Sequence, residues 1–296
     1  MSMRISKTGD QRIFLGIAYL LVGLFACLAI LPFYILVVNS FASEHSILTR
    51  GYLLFPREIS WKGYELVFQN PAKIFRSYGI TILVTGVGTL ISLFISSMSA
   101  YVLFRKDVKY RNQLAFFLYF TTLFNGGLMS YYLIVSQYLH LKNTLSVLLL
   151  VPMFNVLNIL ILRNFLRGSI PEEMIEAGKI DGAGDFGIYL RIVLPLFKPA
   201  LAAIGMLTAL NYWNDWWTAM IFVEREGLWP MQYVLYQILS SVNIASNMLN
   251  NVAMVDLPKE SLKLAMTVIS IGPIIFLYPF VQKYFVRGIT LGAIKG

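Results

Sequence analysis

The chain has 296 residues, 57% of them hydrophobic and only 13% charged, with a mean hydropathy of +0.68; soluble domains carry about 25% charged residues, so this is the composition of an integral membrane protein. The net charge of +9 does not mark a nucleic-acid binder, because no basic stripe with interleaved aromatics occurs and cytoplasmic loops of membrane proteins hold excess Lys and Arg. A single cysteine, Cys27, excludes an internal disulfide, and two isolated histidines, His45 and His140, leave no ligand spacing for a metal.

Six apolar spans follow in chain order, at residues 13–38, 77–104, 112–135, 143–162, 199–222 and 264–286. They are expected to be helices, because lipid offers backbone polar groups no partner; a barrel would show alternating segments of about ten residues. The first run is too long for a signal-peptide core and has no small-x-small cleavage site nearby, so it reads as a retained span. Cys27 within it reads as packing filler.

Orientation follows from the cations. Of the 24 Lys and Arg, 15 fall on the side that holds the N-terminus, the 105–111 loop, the 164–198 segment with its flank and the C-terminal end. That side is cytoplasmic, with both termini inside. The chain thus divides into a cytoplasmic N-terminus at 1–12, a membrane domain at 13–286 and a cytoplasmic tail at 287–296, with long outer loops at 39–76 and 223–263.

The first outer loop contains FPREISWKGYELVFQNP, with Trp61, Tyr64, Val67 and Phe68 at helical spacing. It reads either as an amphipathic helix on the outer interface or as a capped connector. The second is rich in Asn, Ser and Gln and long for a connection, which favours a binding surface. No internal repeat is visible, nor the matched pair of broken helices of inverted-repeat transporters.

The segment 164–198 is a polar insert between two apolar runs, centred on SIPEEMIEAGKIDGAGDFGIYLRIVLPLFKP. Ser169 can cap a helix, with Pro171 in its first turn and Glu172 at capping-box spacing. Glu172, Glu173 and Glu176 load the positive end of that helix, which should run to about Lys179. Gly182 and Gly184 permit a sharp turn. Asp181 or Asp185 then caps a second short helix through Ile192, and Pro195 and Pro199 redirect the chain into the fifth span. Such a pair is too small to own a core. It either docks on a soluble partner or rests on its own chain, and the residues alone leave both open.

GAGDFG, 182–187, has the spacing of a dinucleotide fingerprint but follows a helix instead of a strand, which rules that reading out. Neither a phosphate-binding G-x-x-x-x-G-K-[ST] loop nor a catalytic triad nor a zinc signature occurs, so no catalytic or metal-ligating residue is assigned. Near the outer end of the fifth span, LNYWNDWW places Trp213, Asn214 and Asp215. An intramembrane carboxylate is a functional candidate; an interfacial aromatic belt is the bland alternative.

EAGKIDGAGDFGIYLRIVLPLFKP resembles the EAA motif of permease subunits of ATP-binding-cassette importers, through Glu176, Ala177, Asp181, Gly182, Ala183, Ile192, Leu194, Pro195 and Pro199. Gly178 departs from the second alanine usual there. LFNGGLMSYYLIV, LNYWNDWW and KYFVRGITLGAIKG are similar to the carbohydrate importers of the maltose type, and FNGGL to the subgroup for oligosaccharides and uronate chains such as alginate or pectin fragments.

The resemblance implies an all-α protein of type I importer architecture in the bacterial cytoplasmic (inner) membrane. Its partners would be a second homologous permease, two ATPase subunits, a periplasmic or lipid-anchored solute-binding protein, the carbohydrate and membrane lipid. Glu176, Ala177, Gly178, Asp181, Gly182 and Ala183 would form the coupling helix seated in an ATPase, with Glu176 salt-bridged to a basic residue there and Gly182 allowing close approach. No cofactor would bind this chain; ATP and Mg would be used by the partner ATPases. Trp213, Asn214 and Asp215 would lie on the translocation path, the 223–263 loop would reach the binding protein, and the tail would run along the ATPase interface. The alternative is an ion-coupled secondary transporter or channel component. It needs ionisable residues in several spans, whereas the spans are nearly free of them apart from Asp215.

Overall fold

The structure, a computed structural model, describes residues 9–249 and 258–275. The described residues are almost entirely helical. In order they form α1 (Gly9–Asn39), α2 (Glu44–Arg50), α3 (Lys62–Val67), α4 (Pro71–Phe104), α5 (Arg111–Leu123), α6 (Leu128–Leu133, continued by a π turn at Ile134–Tyr138), α7 (Leu145–Leu150) and α8 (Val156–Ser169). Then come α9 (Glu172–Ile180), α10 (Asp185–Ile188), a π turn at Tyr189–Val193, α11 (Leu194–Trp213), α12 (Trp217–Phe222), α13 (Met231–Leu249) and α14 (259–275).

Among the described residues, three stretches are long and apolar enough to cross a membrane: Ile13–Asn39, Pro71–Phe104 and Asp185–Trp213. The expected third span is instead broken at 124–127, the fourth at 151–155, and the fifth starts earlier and breaks at 214–216. Each break has a local cause. Gly127 takes φ +84°, a left-handed conformation natural only to glycine. Pro152 lacks an N–H, and the flanking helices carry side-chain caps: Thr144 Oγ1 accepts from Val147 N at 3.3 Å and Asn155 Oδ1 from Asn158 N at 3.2 Å. Asp215 Oδ1 accepts from Thr218 N at 3.0 Å and so opens a new helix. Hydropathy cannot register such breaks, because the residues on either side stay apolar.

The prolines of the insert act differently from expectation. In the π turn the Leu194 N–H reaches back to Tyr189 O, and the helix passes through Pro195 and Pro199 into α11 without redirection. A widened turn absorbs the missing donor, as π bulges do. The expected sixth span begins within α14; residues 276–286 and the 287–296 tail lie outside the described residues. The 223–263 segment is largely helix, α13, with residues 250–257 also outside the description.

The chain forms two compact units, Met1–Asn70 with Ser241–Ile269 and Pro71–Ser240 with Ser270–Gly296, each through its described residues. In the first, α1 is largely exposed up to its last turn, where Asn39 is buried, and Cys27, expected as packing filler, is exposed too. A helix apolar all round with no protein cover is solvated by lipid or a partner helix. Glu44 caps the start of α14, its two carboxylate oxygens accepting from Glu260 N and Ser261 N at 2.9 Å each. On α3, Gly63 and Val67 are buried and Tyr64 stacks on Phe41 at 5.0 Å, while Trp61 and Phe68 stay exposed. The packed inner face favours the connector over a helix lying free on the interface.

The second unit is built on α4 against α11 and α8. Val84, Gly88, Ser92, Ser96 and Ala100 recur every fourth residue along the buried side of α4, and Ala200, Ile204, Thr208 and Tyr212 do so on α11. Small residues let the backbones approach, which is how helices associate where lipid is as apolar as leucine. A Cβ on Gly88 would come within 2.5 Å of the Tyr212 ring, and the Tyr212 hydroxyl donates to Leu149 O at 2.7 Å. At one end lies a core of Leu162, Leu166, Ile188, Val193 and Phe197, all fully buried; the polar insert stands on this core.

Candidate functional site

The insert begins where α8 ends. Ser169 is the last residue of α8 and does not cap α9; Pro171 holds the N-cap position with no side-chain bond. The expected capping box fails because the helical turn continues through Ser169, which removes the extended geometry a cap needs. α9 nonetheless starts at Glu172 and ends at Ile180, close to expectation.

Its end is a Schellman closure. Gly182 takes φ +78°, its N–H reaches Lys179 O at 3.0 Å, and the Ala183 N–H reaches Gly178 O at 3.0 Å. The chain then turns into α10, capped by Gly184 instead of a side chain of Asp181 or Asp185. Gly178 is buried, and a Cβ there would lie 2.9 Å from Ile192 Cδ1 and 3.3 Å from Ile188 Cγ1. The motif's departure from alanine therefore falls where the two arms of the turn meet.

What holds the pair down is Arg105, the one buried charged residue among the described residues. Its guanidinium donates to Tyr101 Oη at 2.8 Å, to Asp185 Oδ1 at 2.8 Å, and with two nitrogens to both oxygens of Asp107. Lys179 Nζ donates to Asp107 Oδ2 at 2.7 Å, and Lys106 pairs with Glu172 at 2.7 Å. Arg105, then Lys179, hold the Asp107 carboxyl well below the usual carboxylate range; Asp107 in turn raises Arg105 further. The end of α4 is thus clamped to α9 and α10. Reading the 105–111 loop for orientation alone misses this; the signal was Asp107, a single acid among four cations.

The two faces of the pair differ. Ile175, Gly178 and Ile188 face the core. Outward lie Ile180, 86% exposed, Phe186, 56%, and Met174, 41%, beside Glu173, Glu176, Ala177 and Asp181. Glu176 and Asp181 make no ion pair among the described residues. One face therefore rests on the chain, and the other presents apolar and acidic side chains that nothing among the described residues covers. Ala183 is half-buried at the turn.

The other candidates are dispersed. Trp213 is 3% exposed and its indole N–H donates to Ser270 O at 3.3 Å, so it packs within the fold. Asn214 is exposed and its Nδ2 donates to Leu210 O at 2.9 Å. Asp215 caps α12 as described. Trp217, 40% exposed, faces Tyr131 with centroids 6.3 Å apart. Asn143 ties the neighbouring ends together: its Oδ1 accepts from Glu224 N at 2.6 Å and from Arg225 N at 3.2 Å.

Residues 11–291 match the family model described as the binding-protein-dependent transport system inner membrane component. The polygalacturonan/rhamnogalacturonan transport system permease protein YtcP of Bacillus subtilis (strain 168) is 35% identical over 97% of this chain and 99% of its own. The melibiose/raffinose/stachyose import permease protein MelC of the same organism is 28% identical over 99% of this chain and 100% of its own. A chain in the crystal structure of a bacterial ABC transporter involved in the import of the acidic polysaccharide alginate superimposes with a TM-score of 0.77 at 30% identity, covering 95% of this chain and 99% of that one.

Proposed function

The chain belongs to the family of binding-protein-dependent transport system inner membrane components, multi-pass permeases and not enzymes, and from that premise we propose that it forms, with a second permease, the membrane path for an oligosaccharide containing uronate units. The full-length likeness to a polygalacturonan/rhamnogalacturonan permease and to a chain of an alginate importer supports that substrate class. ATP and Mg belong to the two partner ATPase subunits, and a binding protein delivers the sugar on the outer side. Both termini face the cytoplasm.

The observation that carries the coupling role is the two-faced insert. Arg105, Asp107, Lys179 and Asp185 fix its inner side to α4, so a push on the outer side moves α4 and α11 with it. Met174, Ile180 and Phe186 offer apolar contact, and Glu176 offers a charge with no ion-pair partner among the described residues. The Glu176–Ala183 segment docks in a cleft of an ATPase subunit, and Glu176 pairs with a basic residue there. A few such anchors carry most of the energy of a contact, and a rigid element between two sites is what hinge-type transitions need. Asn214 and Asp215 line the path beside α12, and the 223–263 segment contacts the binding protein.

The test is reconstitution of both permeases, the ATPases and the binding protein in vesicles. Uptake of a galacturonate trisaccharide should require ATP and survive proton and sodium uncouplers. Glu176→Lys should leave the protein in the membrane, abolish uptake and spare basal ATP hydrolysis. Uptake driven by an ion gradient without ATP, or wild-type uptake in Glu176→Lys, would sink the proposal.

A further inference from the structure

We infer that the break between α5 and α6 is a saccharide subsite, gripping a pyranose ring through its faces and hydroxyls without a charged partner; the inference rests on the transport reading above. The break opens a cavity of about 620 Å³ lined by Asn125, Gly126, Gly127, Ser130, Tyr131 and Trp217 among others, within the range of about 300–1,000 Å³ usual for small-ligand sites. Tyr131 and Trp217 supply two aromatic faces inclined at only 24°. Asn125 Oδ1 accepts from Gly127 N at 2.8 Å, which fixes the amide and leaves its Nδ2 without a partner among the described residues. The Ser130 hydroxyl is in the same state.

Depth turns this into a constraint. α5 has 13 residues from Arg111, so it climbs roughly 20 Å at 1.5 Å per residue, and the break falls inside a hydrocarbon layer of about 30 Å. The backbone N–H groups of Asn125 and Gly126 have no acceptor among the described residues. Non-helical backbone at that depth is stable where protein or a water-filled cavity covers it, not against lipid tails. Water in this cavity leaves a face of aromatic carbon beside amide and hydroxyl groups, the mixture a sugar ring presents in return. No Lys, Arg, Asp or Glu lines the cavity, so it reads the ring and not the carboxylate. Neutral and uronate sugars should fit it alike.

The experiment uses the reconstituted transporter in a Cys27→Ser background. Two diazirine-bearing trisaccharides, a galacturonate oligomer and raffinose, are photolysed during ATP hydrolysis. Both should label the segment 124–131 or Trp217. Trp217→Ala should weaken labelling there by about fivefold, the scale of one lost aromatic contact, and Trp217→Phe should restore most of it. Ser130→Cys should react with a water-soluble thiol reagent and be protected by either sugar. Intact uptake with labelling only elsewhere overturns the subsite alone. So does a Ser130→Cys that cross-links to the second permease and resists the reagent in both nucleotide states, since the partner then covers the break. Labelling by the galacturonate oligomer but not raffinose overturns the charge-independent grip. Absence of ATP-dependent uptake by the wild-type transporter overturns the transport reading and this subsite with it.

Discussion

Replacing Arg105 with methionine keeps most of the apolar stem and removes the guanidinium, and the cost can be worked from its surroundings. The Arg105 side chain is 7% exposed, whereas Asp107 and Asp185 are 47% and 73% exposed. A fully buried pair broken on one side costs about 3–5 kcal/mol, but these carboxylates can rehydrate, so each link is worth nearer the 0–1 kcal/mol of exposed pairs. Adding about 1 kcal/mol for the more buried bond to Tyr101 gives about 2 kcal/mol for seating α9 and α10 on α4. That is about a 30-fold rise in the local opening constant. Hydrogen exchange of the amides at 178–188, measured on the assembled transporter in detergent, should accelerate by that factor while α4 and α11 change little. On the proposed coupling role, uptake should fall more than ATP hydrolysis, because the insert is loosened and the ATPase is not. Tyr101→Phe should give about half the logarithmic effect. Exchange within about threefold of wild type would refute the clamp.

Gly88→Ala puts a methyl against the Tyr212 ring, which its hydroxyl bond to Leu149 keeps in place; overpacking of about 1–3 kcal/mol should lower the thermal midpoint of the detergent-solubilised permease, and an unchanged midpoint would count against the α4–α11 contact. Gly182→Ala forces a side chain into a left-handed backbone and should cost about 1 kcal/mol, read as faster exchange at 180–184. Gly178→Ala brings its methyl to 2.9 Å from Ile192 Cδ1 and 3.3 Å from Ile188 Cγ1; the nearer atom is the end of a flexible side chain that can turn aside, so exchange and uptake should stay near wild type. Asp107 has a depressed folded pKa, so its contribution is fully present above the unfolded carboxylate value of about 3.9 and is lost only as pH falls below it. Exchange at 178–188, corrected for the intrinsic rate, should therefore not differ between about pH 5.5 and pH 8; loosening within that window would contradict the assignment.

Much of the 164–198 insert was legible because its information is local. Glycine at 182 and the acidic first turn of α9 depend on neighbours within a few residues, and α9 formed almost where they place it. Ser169 failed as a cap for a tertiary reason: α8 stays helical through it to bury Leu166 and carry Ile170 to the same core. The clamp was invisible because its members lie up to 80 residues apart, and a cation in a short loop looks the same whether it faces water or holds two acids.

Sequence by itself determined that this chain lives in a membrane and which family motif its polar insert resembles, since hydropathy and a fixed-spacing motif are properties of composition and order. It also displayed the FNGGL and LNYWNDWW stretches without saying that helices stop there. Only the tertiary structure decided where the spans break, which side of the insert is glued down, and that Trp213 packs inward while Trp217 faces a cavity. The physical reason is that lipid solvates every apolar side chain equally well. Inside a bilayer the folded arrangement is therefore chosen by small-residue contacts and backbone hydrogen bonds, which leave almost no trace in a hydropathy pattern.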